Sequence, residues 1–208
     1  MGFHNAPDYP ALTRYTVALH FSDDVDSHKL CVHSRIGDFA ETGTETTWES
    51  KMPFTNQAIN FTGTRMAQQR QGLKQKVSLL LFGDERTFLE IVASRYRTES
   101  DNSPIHRVYI PHLTSRGDDL CFAAGHCDSA LITAPHSTFA WWMAWLAWMR
   151  EGERPRGKAV FFDVDMHDPD YHTRDNFLPE WTALRLVLPL KSVVVTPDGA
   201  EGEIVIVP

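Results

Sequence analysis

The segment Thr138–Arg150, TFAWWMAWLAWMR, constrains the fold more than any other. It carries four of the six tryptophans, and every position from Phe139 to Met149 is apolar. Ser137 or Thr138 can cap a first helical turn, Pro135 keeps the preceding chain out of the helix, Arg150 suits the negative end, and Gly152 supplies a stop. The spacing therefore predicts a central helix. At about a dozen residues it is too short for a bilayer, which takes about 20. A helix that is apolar all round has to be covered on most sides. Elements from both halves of the chain are expected to pack on it, with Phe139, Trp142, Trp145 and Leu146 buried.

The rest of the chain reads as α+β: one domain over residues 1–208, with residues 1–12 as an extended arm. Its sheet, mixed or antiparallel, takes strands from both chain ends and packs on about three helices. Strands are predicted at 14–22, 29–36 and 54–62. Helix is expected from Thr64 to about Lys76, then a buried strand to Phe82. Asp84 caps an amphipathic helix, Glu85–Arg97, whose Phe88, Ile91, Val92 and Tyr96 form one stripe. A strand at 105–111 completes a β-α-β unit, in which the crossover is right-handed. Residues 121–137 hold too many small and polar side chains to assign. Strands follow at 159–164, 184–190 and 193–195, and the tail from Glu203 to Pro208 adds an edge strand.

With 208 residues, 42% of them hydrophobic, the chain has material for a sizeable core and disorder is excluded. A formal net charge of −7 argues against broad non-specific nucleic-acid binding, which calls for a basic face. Three cysteines, Cys31, Cys121 and Cys127, are too few and too odd in number for a disulfide framework. That count, with no basic n-region leading into an apolar stretch near the start, predicts a cytoplasmic protein.

Three groups of side chains are candidate sites. The stretch KAVFFDVDMHDPDYH sets Asp163, Asp165, His167 and His172 at a strand exit. Carboxylates two apart on an extended chain face the same way, so Asp163 and Asp165 could share Mn²⁺ or Mg²⁺ with His167. Such an ion can activate water against a phosphodiester. The DxD comes close to the nucleophile motif of haloacid-dehalogenase-type phosphatases and to the manganese motif of glycosyltransferases but completes neither pattern, and no family is recognised. The bland alternative is a solvated acidic turn. Cys121, His126 and Cys127 lack zinc spacing and read as core cysteines. The segment Arg65–Lys76 has four cations, Arg65, Arg70, Lys74 and Lys76, and no acid. It could touch phosphate or an acidic partner, and a solvated helix face is the default. Trp141 and Trp148 share a face of the tryptophan helix that could anchor a partner if it is open.

No complete catalytic signature is visible. The expected function is a non-catalytic interaction protein, an accessory subunit or inhibitor docking onto a protein partner. It would use no cofactor and touch no membrane, with nucleic-acid contact confined to the basic segment. The alternative is a metal-dependent hydrolase, a phosphodiesterase or nuclease built on the Asp163–His172 loop.

Overall fold

The computed structural model describes residues 23–37, 49–68, 76–97, 103–111, 115–149, 159–164, 173–187 and 203–207. In chain order the elements are β1 His28–Ser34, α1 Met52–Gln68, β2 Val77–Gly83, α2 Arg86–Arg97, β3 Arg107–Tyr109 and α3 Arg116–His126. They continue with β4 Ser129–Ile132, α4 Thr138–Met149, β5 Val160–Asp163, α5 Thr173–Asn176, β6 Thr182–Val187 and β7 Glu203–Val207. Among the described residues one seven-stranded sheet runs in the order β3-β2-β1-β4-β5-β6-β7. It takes strands from both ends of the chain, as expected.

All pairings are parallel except the last, β6 with β7. The mixed sheet is therefore found and the antiparallel alternative is corrected. Parallel strands need crossovers, and the helices supply them on both faces, so the strands read as near-continuous apolar runs. Every position of β1, HKLCVHS, is buried, its ends included. Leu30 and Val32 join α1 and α2 on one face with Leu79, Leu81, Leu131 and Phe161. Cys31 faces the other way, among Leu80, Phe122 of α3 and Met143 of α4. Ile132, Phe162 and Ala183 continue that second layer with Ala140 and Ala144 of α4, Phe177 and Trp181. Winding from β1 through β2 to β3 uses helices on the first face, and winding from β4 to β5 uses the second. A single crossover hand demands this swap of faces where the strand order reverses.

Several sequence expectations need correction. Residues 54–62 belong to α1, not to a strand: Phe54, Ala58, Ile59, Thr62, Gly63 and Met66 are buried at helical spacing. The unassigned stretch before α4 holds α3 and β4. Ser115 caps α3 by accepting from the Asp118 N–H, and Asp118 and Asp119 occupy the first turn, where carboxylates are favoured. In α4 the small residues Ala140, Ala144 and Ala147 face the sheet with Met143 and are buried. Phe139, Trp145 and Leu146 are only partly covered, and Trp142 is 53% exposed. Small residues let the helix axis approach the sheet, which pushes the indoles to the flanks. The strand at 14–22, the extended arm 1–12 and the strand at 193–195 lie outside the described residues.

At the amino ends of the strands, Lys29 is buried and forms an ion pair with Asp24 at 3.7 Å. Its Nζ also donates to the Asp24 carbonyl, to Ser27 O at 3.0 Å and to Ser27 Oγ at 2.6 Å. Ser78 and Tyr109 donate to the Asp24 carboxylate at 2.6 and 3.0 Å. Burial would raise the Asp24 carboxyl, but these donors and the Lys29 charge bring it below its ordinary range. Residues 24–27 are thereby latched across β1, β2 and β3.

Cys31 and Cys127 form a disulfide between the central strand and the C-cap of α3, which corrects the expectation of reduced core cysteines. Cys121 is the free cysteine. Their sequence separation of 96 makes the cross-link a strong constraint on the unfolded chain. Alkylation of denatured, unreduced protein followed by mass spectrometry should find one reactive thiol, and three after reduction. Reduction should lower unfolding stability by about 2–4 kcal/mol. Three alkylated thiols without reduction would refute the bond.

Candidate active site

In open parallel sheets a crevice opens at the carboxyl ends of the strands where the winding reverses. Here that place lies between β1 and β4, which pair with His33 opposite Ile132. One residue further, Thr133 donates twice to the His33 carbonyl, from its N–H at 3.2 Å and from Oγ1 at 3.0 Å. The Thr133 hydroxyl has then used its proton. Its 2.7 Å contact with Ser50 Oγ must have Ser50 as donor. Ser50 Oγ in turn accepts from the Arg35 N–H at 2.9 Å, and the Ser50 N–H donates to Arg35 O at 2.8 Å. Buried Ser50 and Thr133 thus tie the segment entering α1 to the ends of both central strands.

The consequence is electrostatic. α1 begins two residues after Ser50, and α4 begins after the turn that leaves β4. Both helix N-termini, each worth roughly half a positive charge, face this end of the sheet. The turn into α4 is closed by Ser137 N–H to Ala134 O at 3.0 Å, and Ser137 Oγ caps the helix by accepting from the Ala140 N–H at 3.2 Å. Arg35 stands beside them, its charge offset by Asp84. Its Nε lies 3.4 Å from Asp84 Oδ2, with side-chain exposures of 17% and 23%. Asp84 Oδ1 also accepts from the Ile36 N–H at 3.0 Å, so one carboxylate from the end of β2 fixes both guanidinium and backbone. Gly83 permits this approach, because a Cβ there would collide with the Ser34 hydroxyl and carbonyl.

His33 lies under the first turn of α4, its ring 5.2 Å from that of Phe139. It is 3% exposed, and Nδ1 has no hydrogen-bond partner. Burial pushes its pKa down to about 4; Asp84 pulls it up, Arg35 pushes it further down, and a contact with its own backbone raises it slightly. At neutral pH the ring is uncharged and keeps one nitrogen unused beside a helix N-terminus. This arrangement suits an anion with several acceptor oxygens, such as a diphosphate.

The residues singled out from sequence fall elsewhere or at the edge. Asp163 is buried at the carboxyl end of β5, one strand from β4. Asp165, His167 and His172 lie outside the described residues, and among the described residues no three metal-ligating side chains converge. Arg65 is exposed in the last turn of α1, about 20 Å from that helix's crevice end at 1.5 Å per residue. Lys76 precedes β2 at the amino side of the sheet, and Arg70 and Lys74 are outside the described residues. Arg65 and Lys76 therefore lie at the opposite end from the crevice. Trp141 and Trp148 are partly buried; Trp141 stacks on Trp145 at 5.5 Å and donates Nε1–H to Asn176 O at 2.8 Å. Sequence reasoning missed His33, Arg35, Ser50 and Thr133, and took Ser137 only as a helix cap. For all but Ser50 the signal is a buried strand that exits into His, Ser, Thr or Arg, as in VHSR and ITAPHS.

No protein-family model matches the chain. It is 29% identical over 182 residues to a Caenorhabditis elegans protein provisionally named a glycosyltransferase, covering 81% of this chain and 45% of that protein. A second C. elegans protein, provisionally named a galactoside 2-alpha-L-fucosyltransferase, is 34% identical over 129 residues, 62% of this chain and 33% of its own length. A third, named galactoside 2-alpha-L-fucosyltransferase outright, is 26% identical over 177 residues, 77% and 42% respectively. The chain thus spans less than half the length of the curated relatives it matches. A crystal structure of NodZ alpha-1,6-fucosyltransferase soaked with GDP-fucose overlays with a TM-score of 0.41 and 14% identity, covering 97% of this chain and 49% of that one. That overlay is too distant to transfer geometry. The sequence relatives are sugar-transferring enzymes, and on that ground the expectations of a non-catalytic accessory protein and of a metal-dependent hydrolase are both corrected.

The buried histidine gives a test of the site's packing. Between pH 6.5 and about 4 the unfolded chain protonates His33 and the folded chain does not, so stability is full above pH 6.5 and falls as pH drops through this window. Asp119, raised to about 6 by burial and by Asp118, acts in the opposite sense over an overlapping range. Comparing wild type with His33→Gln cancels that contribution. Denaturant titrations should show wild type losing about 1–3 kcal/mol more than the variant between pH 7 and pH 4.5. Parallel pH profiles would mean that His33 is solvated.

Proposed function

We propose that the chain supplies the donor-binding part of a glycosyltransferase that moves fucose from a nucleoside diphosphate onto a galactoside. Similarity to the C. elegans fucosyltransferases carries the reading. The crevice between β1 and β4 supports it, since the N-termini of α1 and α4 and the Arg35 guanidinium meet there, where a diphosphate would bind. In such a transfer a hydroxyl oxygen of the acceptor attacks the anomeric carbon of fucose. The carbon–oxygen bond to the diphosphate breaks, the departing phosphate oxygen keeps the electron pair, and one proton is released. Negative charge on the leaving group grows through the transition state. Donors held in place before the reaction stabilise it without reorganisation. The N-termini of α1 and α4, Arg35 fixed by Asp84, and the Ser137 and Thr138 region would provide that stabilisation. The Cys31–Cys127 bond supports an oxidising compartment in place of the cytoplasm expected from the cysteine count. No helix among the described residues is long and apolar enough to cross a membrane.

Calorimetric titration with GDP-fucose tests the reading. Wild type should bind, and Arg35→Ala should weaken binding about 10- to 100-fold, the range for losing a hydrogen-bonded charge on phosphate. Arg35→Lys should recover only part of it, because an ammonium cannot hold Asp84 and a phosphate in the same planar geometry. Equal affinity in wild type and Arg35→Ala would remove Arg35 from the donor site.

A further inference from the structure

A second feature lies at the same end of α4. Pro135, His136, Ser137 and Thr138 from the turn and first residues of the helix, with Trp141, Trp142, Asn176 and Phe177, line an open groove of about 230 Å³. That is below the roughly 300–1,000 Å³ of pockets for drug-sized ligands, and suits one sugar ring rather than a whole nucleotide sugar. Its walls differ in kind. Trp141 is locked by its bond to Asn176 O and by stacking on Trp145, and it lies 5.5 Å from Trp181. Trp142 stands nearly perpendicular to Trp141, at 80° and 5.2 Å, and is 53% exposed. Phe177 is stacked flat on Phe162 at 4.0 Å, so the floor of the groove rests on the sheet. A half-exposed indole propped by a fixed aromatic array and bordered by Ser, Thr, His and Asn has one flat apolar wall and a polar rim.

We infer that this groove is the acceptor subsite, in which a galactopyranoside ring stacks on Trp142 while its hydroxyls meet the rim of His136, Ser137, Thr138 and Asn176. The inference rests on the transferase reading above and adds the location of the second substrate. The galactoside is the acceptor of the transferase reading, and ring chemistry fits it to the indole. In β-galactose the hydrogens on C3, C4 and C5 lie on one side, a continuous apolar patch with slight positive charge. An indole face is its negative complement. Position agrees with this: the groove and the β1–β4 crevice share the N-terminus of α4, so a ring on Trp142 lies on the flank of the proposed phosphate site. A bare apolar patch would fit a protein anchor as well. The polar rim and the small volume favour a single ring.

The test uses the whole chain and two probes, methyl β-D-galactoside and GDP-fucose, each followed by tryptophan fluorescence and saturation-transfer NMR. Wild type should bind the galactoside saturably and bind methyl β-D-glucoside more weakly, because the equatorial 4-hydroxyl of glucose interrupts the apolar patch. Trp142→Ala should lose at least tenfold in galactoside affinity with an unchanged melting temperature, Trp142→Phe should stay within about threefold, and GDP-fucose affinity should be the same in all three. Galactoside binding unaffected by Trp142→Ala overturns the inference. So does a loss of GDP-fucose affinity in that variant, which would make the groove part of the donor site. So does GDP-fucose binding with no galactoside binding, which leaves the donor reading standing. Galactoside binding that depends on Trp142 in a chain that ignores GDP-fucose would instead uphold the subsite and sink the transferase reading.

Discussion

The parallel pairing of β1 with β4 is the contact on which the rest of the structure depends. It joins strands separated by about a hundred residues and is the place where the chain stops winding in one direction and starts in the other. Because β1 is buried along its whole length between two helix layers, it can tolerate no register slip: a shift of one residue would exchange Leu30 and Val32 with Cys31 and His33 between two differently shaped cores. The same reversal opens the crevice. Folding and site are thus set by one event, since α1 and α4 can aim their N-termini at a common point only if β1 and β4 are neighbours.

Polar groups at the carboxyl end are arranged to hold that point open without unfolding it. Ser50, Thr133 and the His33 carbonyl form a chain of hydrogen bonds in which each hydroxyl proton has one destination. Asp84 serves Arg35 and Ile36 at once. These groups give α1 and α4 a fixed mutual orientation at small cost, because the Ser50 and Thr133 hydroxyls are both partnered. His33 Nδ1 departs from that rule. An unused nitrogen in a packed interior is unfavourable.

Much of the fold was legible in the sequence, and most of the site was not. The α2 stripe, the buried apolar runs of β2 and β5 and the edge strand β7 follow from periodicity, because each presents its pattern to a nearby, uniform surface. α1 was misread because FTNQAINFT alternates as well as it spirals, and only packing on the sheet decides. The tryptophan helix was found, but which indole is buried depends on how close its axis comes to the sheet, and Ala140, Ala144 and Ala147 set that distance. The cysteine pair escaped because a count says nothing about distance, and β1 and the end of α3 meet only in three dimensions. His33, Arg35 and Thr133 look like ordinary strand-exit residues. Their meaning lies in strand order, which single-segment patterns do not encode. The acidic run at 163–172 stands out by density of charge, and of it only Asp163 and Val164 lie among the described residues.

At the far end of the sheet, Lys29 is held by Asp24 and by oxygens of Ser27, with 6% of the residue exposed. Burial lowers its pKa while the neighbouring carboxylates oppose that shift. Its amine is ion-paired and sterically sealed, and the seal is the short segment 24–27. Acylating reagents that modify surface lysines within seconds should reach Lys29 only in molecules where that segment has lifted. The residue is thus a native timer: its labelling rate counts the openings of the amino-side latch, independently of anything bound at the other end of the strands.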